Sequence, residues 1–454
     1  MAVEIRESSM VKPAEATPKH RLWLSNLDLL VVRRHVNAVR FYRRGVSDGP
    51  AFFSPDVLKD ALSKALVPFY PLAGRLAQDS TDRLEIHCTG DGVLFVTALT
   101  DATIDDIAGS NLSDELQRML VPSLEDGDRA GILAMFQVTF FRCGGVCLGS
   151  AVHHVAADGV AAISFLKTWA AVARGAHEAT TPRPWVDRTL LRARSPPAVR
   201  FDHAEYPRRG GGSKTEIIPL DNIVLPLSRT QVNALKRSAG IQCKKVSTFD
   251  AVAAHAWRCA CKARGLAGTG DSRLYMLADA RSRLRPPLPA GYLGNAILRA
   301  SAVAKVEDLT SEPLGTTADT ISTAALRVDD EYIRSLVDYL EQVVSGDDDG
   351  AAELRLGRWV MSGTDLFLVS WLGLRSDDDF GWGRSSFTAR ATFTFNGLVY
   401  LDRSTDGDGG VDVTITMELE SIARLKELFY EELNDHPLAS QTQGTEAQGV
   451  WDDF

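Results

Sequence analysis

The stretch Gly149-Ser150-Ala151-Val152-His153-His154-Val155-Ala156-Ala157-Asp158-Gly159-Val160 carries the chain out of a strand, through a short loop and into a helix. Upstream, residues 132 to 149 read as two strands around the Gly144-Gly145 turn, and downstream Ile163, Leu166, Trp169 and Val172 recur at helical spacing over residues 160 to 173. The fold is mixed. Strand and helix signals alternate in both halves of the chain, which points to an α/β or α+β architecture.

His154 stands where the strand gives way to the loop, and such a junction presents a side chain in a cleft on a rigid support. An imidazole with an ordinary pKa of about 6.5 is mostly neutral at pH 7, so it can take a proton from a hydroxyl or amine attacking a carbonyl. That is worth roughly 10²–10⁴ in rate. Asp158, four residues on, either orients the ring as in a triad or holds the loop by bonding backbone or an arginine; the spacing leaves both open. A metal site of His153, His154 and Asp158 is disfavoured because adjacent strand residues point to opposite faces.

A second motif, Asp379-Phe380-Gly381-Trp382-Gly383, follows the acidic pair Asp377-Asp378. Glycines around a tryptophan permit tight turns, and the indole N–H offers one donor. Taken together, His-x-x-x-Asp-Gly and Asp-Phe-Gly-Trp-Gly resemble the two signatures of the plant BAHD acyl-CoA-dependent acyltransferases. The resemblance covers nearly the whole chain and is nearest the hydroxycinnamoyltransferase branch, through stretches such as Ala65-Leu66-Val67-Pro68-Phe69-Tyr70-Pro71-Leu72-Ala73-Gly74-Arg75 and Gly291-Tyr292-Leu293-Gly294-Asn295.

That resemblance implies two similar chloramphenicol-acetyltransferase-like domains, each a mixed sheet flanked by helices, with a solvent channel between them. It implies direct acyl transfer from a CoA thioester to an alcohol or amine, with acyl-CoA as co-substrate, no other cofactor, no metal and no acyl-enzyme. By position His154 is the general base, and the absence of a Gly-x-Ser-x-Gly elbow agrees. Asp158, with Gly159 beside it, is expected to be structural and paired to an arginine. Asp379 is expected to form a salt bridge, with Arg281 as its partner, inside a turn built on Gly381 and Gly383. The Trp382 indole is expected either to help hold the developing oxyanion or simply to pack.

The length of 454 residues and 45% hydrophobic content suffice for two cores. We expect an N-terminal domain over residues 1–185, a crossover linker over 186–220, rich in proline and ending in a basic glycine run, and a C-terminal domain over 221–454. Helices are expected over 228–239 and 247–263, with Ser247 or Thr248 as a cap. An acidic loop is expected at 345–350, strands over 389–401 and 411–417 with a turn at 406–410, and a disordered tail from about 437. The polar N-terminus and the lack of a long apolar run predict a soluble, cytoplasmic protein without membrane contact, and a monomer is expected. Six cysteines at 88, 143, 147, 243, 259 and 261 lack metal or disulfide spacing. A net charge of −9 argues against nucleic acid as a partner, which leaves small-molecule substrates. Locally, Lys244, Lys245 and Arg258, with Ser247 and Thr248, are the candidate contacts for the CoA polyanion.

Acceptor choice departs from the family's shikimate and quinate pattern. Relatives of that kind carry hydroxyl side chains at the positions of Val36, Ala38 and Arg40, and an arginine at that of Gly373. Losing that arginine removes the natural carboxylate clamp. With Phe367 and Val369 nearby, the pocket is expected to favour an arylalkylamine such as tryptamine or tyramine, or a polyamine, with Asp365, Asp377 and Asp378 as candidate ammonium partners. O-acylation of shikimate, quinate, glycerol or another alcohol is the alternative, and Arg40 would serve it if it faces the cleft. A non-catalytic CoA-ester binder is the third reading, and retention of both signatures counts against it.

Overall fold

The computed structural model describes residues 2–46, 49–108, 118–122, 131–176, 182–206, 218–240, 246–266, 268, 270–344, 361–374, 378–390, 395–404 and 409–434. The expected acidic loop, the tail and Lys244 and Lys245 lie outside them.

Among the described residues, three sheets are built from fifteen strands: β1 (Glu4–Val11), β2 (Arg21–Trp23), β3 (His35–Tyr42), β4 (Arg75–Gln78), β5 (Leu84–His87), β6 (Val93–Thr100), β7 (Ala134–Phe141), β8 (Val146–His153), β9 (Leu220–Leu227), β10 (Asp271–Asp279), β11 (Ile297–Lys305), β12 (Leu366–Ser370), β13 (Phe387–Arg390), β14 (Leu398–Arg403) and β15 (Val411–Glu418). Two are six-stranded and mixed, ordered β1-β6-β7-β8-β3-β13 and β11-β10-β12-β14-β15-β9; the third is a small β2-β5-β4 sheet. The architecture is therefore the α/β pair of similar units anticipated.

The residues expected as one alternating run over 389–401 divide between sheets. β13 pairs antiparallel with β3, Thr388 opposite Arg40, whereas β14 joins the second sheet beside β12. A segment from the C-terminal half thus closes the edge of the N-terminal sheet. Alternation marks a strand without naming its neighbour.

Each large sheet buries one face under helices. Against the first lie Pro55–Ala65 and Gly159–Ala173, joined where the Trp169 indole donates to the Leu58 carbonyl at 3.0 Å. Against the second lie Arg229–Ala239, Thr248–Ala263 and Leu314–Leu326, the first capped by Ser228 and the second by Ser247, one of its two expected caps. Proline and charge did not make the crossover a loose tether. Arg194 donates from its backbone N–H and Nε to buried Asp338 at 2.7 and 2.6 Å, and Ser335 Oγ accepts the N–H groups of Arg200 and Phe201. Among the described residues, no helix is long and apolar enough to cross a membrane.

Candidate active site

β8 ends at His153, and the chain turns through His154 into the Gly159–Ala173 helix. The turn is pinned from three distant segments. Arg188, in the crossover, donates to the carbonyls of Val155 and Ala156 at 3.2 and 2.7 Å, and Asn295 Nδ2 donates to that of His154 at 2.9 Å. Both are organised by Asp28. Its Oδ1 meets Arg188 Nη1 at 2.9 Å and the two N–H donors of Asn295 at 2.8 and 3.0 Å, while Oδ2 accepts Ser25 N–H and O–H at 2.8 and 2.7 Å. The Asp28 and Arg188 side chains have no exposed surface, so each charge depends on this pairing to offset its desolvation. Asn295 stood in a quoted motif without a role, and Asp28 was missed. The Ser25-x-x-Asp28 capping box that closes around helix Asn26–Leu29 was the available signal.

His154 lines the cavity, and its Nδ1 is buried without a hydrogen-bond partner. Desolvation lowers the imidazole pKa, and the pull of its own backbone carbonyl, Asp158 and Asn295 restores only part of that. The neutral base is the favoured form at pH 7.

Asp158 does not touch the ring. Oδ1 caps the helix by accepting Ala161 N–H at 3.0 Å and also accepts Arg281 Nη2 at 3.0 Å; Oδ2 accepts Ala296 N–H at 3.0 Å and pairs with Arg281 Nη1 at 2.9 Å. The alternatives left by the spacing resolve toward a structural carboxylate. Arg281 is thus the partner of Asp158 and Asp279, not of Asp379. Asp379 Oδ1 instead accepts the N–H groups of Gly381 and Gly383 at 2.8 and 2.9 Å, closing its own turn, and Arg174 donates to its carbonyl. Both glycines have positive φ, 105° and 91°, a region open to glycine at little cost.

The same turn packs Phe380 at 1% exposure against Trp169 and sets Trp382 tilted against Phe53, ring centroids 4.9 Å apart. Trp382 does not line the cavity, so of its two expected roles the structure realises packing. The motif fastens the C-terminal half onto the first core.

A cavity of about 1920 Å³ opens between the two large sheets. That is roughly twice a generous single-ligand pocket and has room for two substrates meeting at His154. Val36, Ala38, Arg40, Phe367, Val369 and Gly373, the residues expected to meet the acceptor, all line it. Trp371 lies over Gly159, where an added Cβ would come within 3.0 Å of the indole; glycine is needed there for close approach. Of the CoA candidates among the described residues, Ser247 alone lines the cavity. Thr248 does not, and Arg258 spends its guanidinium on the carbonyls of Leu309 and Glu312 at 2.8 and 2.5 Å. Lys236, Arg237 and Arg283 supply positive charge at the wall instead. The expected ammonium partners are also corrected. Asp365 is buried beneath Arg273 N–H and Thr364, away from the cavity, and Asp378 sits behind Arg40. Asp377 lies outside the described residues.

Residues 1–432 match the model of the Transferase family. The chain is 62% identical over 447 residues to putrescine hydroxycinnamoyltransferase 1 of Oryza sativa subsp. japonica, covering 95% of this chain and 100% of that one. It is 41% identical to shikimate O-hydroxycinnamoyltransferase of Nicotiana tabacum, with 95% and 100% covered. Among solved structures, vinorine synthase superposes with a TM-score of 0.70 at 22% identity, covering 96% of this chain and 98% of its own. The chain belongs to the Transferase family, the BAHD acyltransferases, and is itself an acyltransferase.

Proposed function

We propose that the protein moves a hydroxycinnamoyl group from a CoA thioester to an amine, with a short aliphatic diamine such as putrescine favoured over an arylalkylamine. The observation that carries this is the place of His154 on the wall of a cavity large enough for two substrates and lined by apolar Val36, Ala38, Phe367 and Val369 and by Gly373. Support comes from the 62% identity to a putrescine hydroxycinnamoyltransferase.

In the proposed reaction the neutral imidazole takes a proton from the acceptor nitrogen as that nitrogen attacks the thioester carbonyl. A C–N bond forms, the carbonyl electrons move onto oxygen, and their return breaks the C–S bond. The CoA thiolate then receives the proton from the imidazolium. Neither acyl-enzyme nor Asp158 takes part in a bond change. Because one chain supplies both sheets and the whole cavity, the working unit is a monomer, and the five described cysteines, all free, suit a reducing cytoplasm.

The test is p-coumaroyl-CoA consumption with putrescine, tyramine, tryptamine, shikimate and glycerol in parallel. Turnover is expected with putrescine ahead of the others. Consumption with shikimate and none with any amine would overturn the proposal in favour of O-acylation.

A further inference from the structure

Arg40 is a cation on the acceptor wall of a site proposed to take cations. β3 turns Val36, Ala38 and Arg40 to the cavity and sends Val39 and Phe41 into the opposite cluster. The residue is only 5% exposed, yet its contacts among the described residues are long: Nη1 to Ser150 Oγ at 3.5 Å and Nε to Asp378 Oδ2 at 3.5 Å. Nε has no hydrogen-bond partner. A guanidinium carries five donors in a fixed fork that matches a carboxylate. Arg40 lines the cavity with only these two long contacts to hold its fork.

Asp378 is placed differently. It is 2% exposed, does not line the cavity, and its oxygens are held by Ser385 Oγ at 2.6 Å and Ser385 N–H at 3.4 Å, while Tyr42 O–H donates to its carbonyl at 2.9 Å. The cation is in front and its counter-ion behind.

We infer that Asp378 is a specificity-determining residue acting through Arg40: it balances the guanidinium so that the acceptor wall is neutral overall and admits an amine, and without it the wall becomes a carboxylate clamp. This rests on the proposed amine acceptor. An unbalanced buried guanidinium repels an ammonium and attracts an acid with little screening.

The experiment measures kcat/KM for putrescine and for shikimate with p-coumaroyl-CoA, in the wild type, Asp378→Asn, Arg40→Gln and the double variant. Asp378→Asn keeps the shape and the Ser385 contacts, and is expected to lower the putrescine-to-shikimate ratio at least about tenfold, mostly through KM. Arg40→Gln is expected to raise that ratio, and the double variant to return it toward the wild-type value. A ratio unmoved by Asp378→Asn, or equal losses on both acceptors without rescue in the double variant, would overturn the inference. If Asp378→Asn does not fold, Arg40→Gln decides alone, and a lowered ratio there overturns it. A wild type that acylates shikimate and no amine removes the proposed function itself, whereas an amine-acylating enzyme indifferent to Asp378 removes only this inference.

Discussion

Asp158→Asn separates a structural carboxylate from a triad member. The substitution keeps Oδ1 as the acceptor for Ala161 N–H, so the helix cap survives, but it removes the charge facing Arg281 and sets an NH₂ group where Oδ2 accepts Ala296 N–H and Arg281 Nη1. Deleting one partner of a buried ion pair costs about 3–5 kcal/mol. Arg281 keeps Asp279 at 3.2 Å and the Gly294 carbonyl at 3.1 Å, which places the loss near the lower end, about 3 kcal/mol. His154 has no contact with the replaced oxygens, so kcat at 25 °C is expected to stay within about tenfold of wild type while the urea unfolding midpoint drops. Were Asp158 instead fixing the tautomer of the base, the same change would cost about 10⁴ in kcat. A 10⁴-fold fall in kcat at an unchanged urea midpoint would refute the reasoning.

His154→Ala is expected to lower kcat by at least about 10² while CoA binding, followed by calorimetry, persists; unchanged turnover removes the base from the mechanism. Since burial lowers the His154 pKa and only the neutral ring accepts a proton, kcat at saturating substrates should fall with decreasing pH only below the ordinary value of about 6.5. An acid limb centred above that value, retained in His154→Ala, contradicts the assignment. Trp382→Phe should leave kcat within a few-fold, because the ring packs on Phe53 outside the cavity; a loss of 10² or more would return the indole to the chemistry.

What the sequence disclosed was mostly local. The strand before His154 and the helix starts at Ser228 and Ser247 follow from patterns a few residues long, and each appears where expected. Partners across the fold were not legible in the same way. Arg281 read as the partner of Asp379 while Asp158 had an unnamed arginine, and nothing in periodicity ranks contacts made through a folded interface. Arg40 likewise read as an isolated cation because its counter-ion lies in the other half of the chain. The crossover read as a linker because burial of its charges by Asp28 and Asp338 depends on segments it meets only after folding.

These long-range contacts explain why a base at the end of β8 is useful at all. A strand end left in solvent would hold an imidazole at its ordinary pKa with free choice of rotamer. Here the carbonyls of His154, Val155 and Ala156 are fixed by Asn295 from the second half and Arg188 from the crossover, both organised by Asp28 from the first half. Docking of the halves therefore does two things together: it desolvates the ring, lowering its pKa, and it sets the ring on the wall of the cavity. A chain whose halves fold but do not dock would retain every residue of the His-x-x-x-Asp-Gly motif and lose both properties, so the interface belongs to the base as much as the motif does.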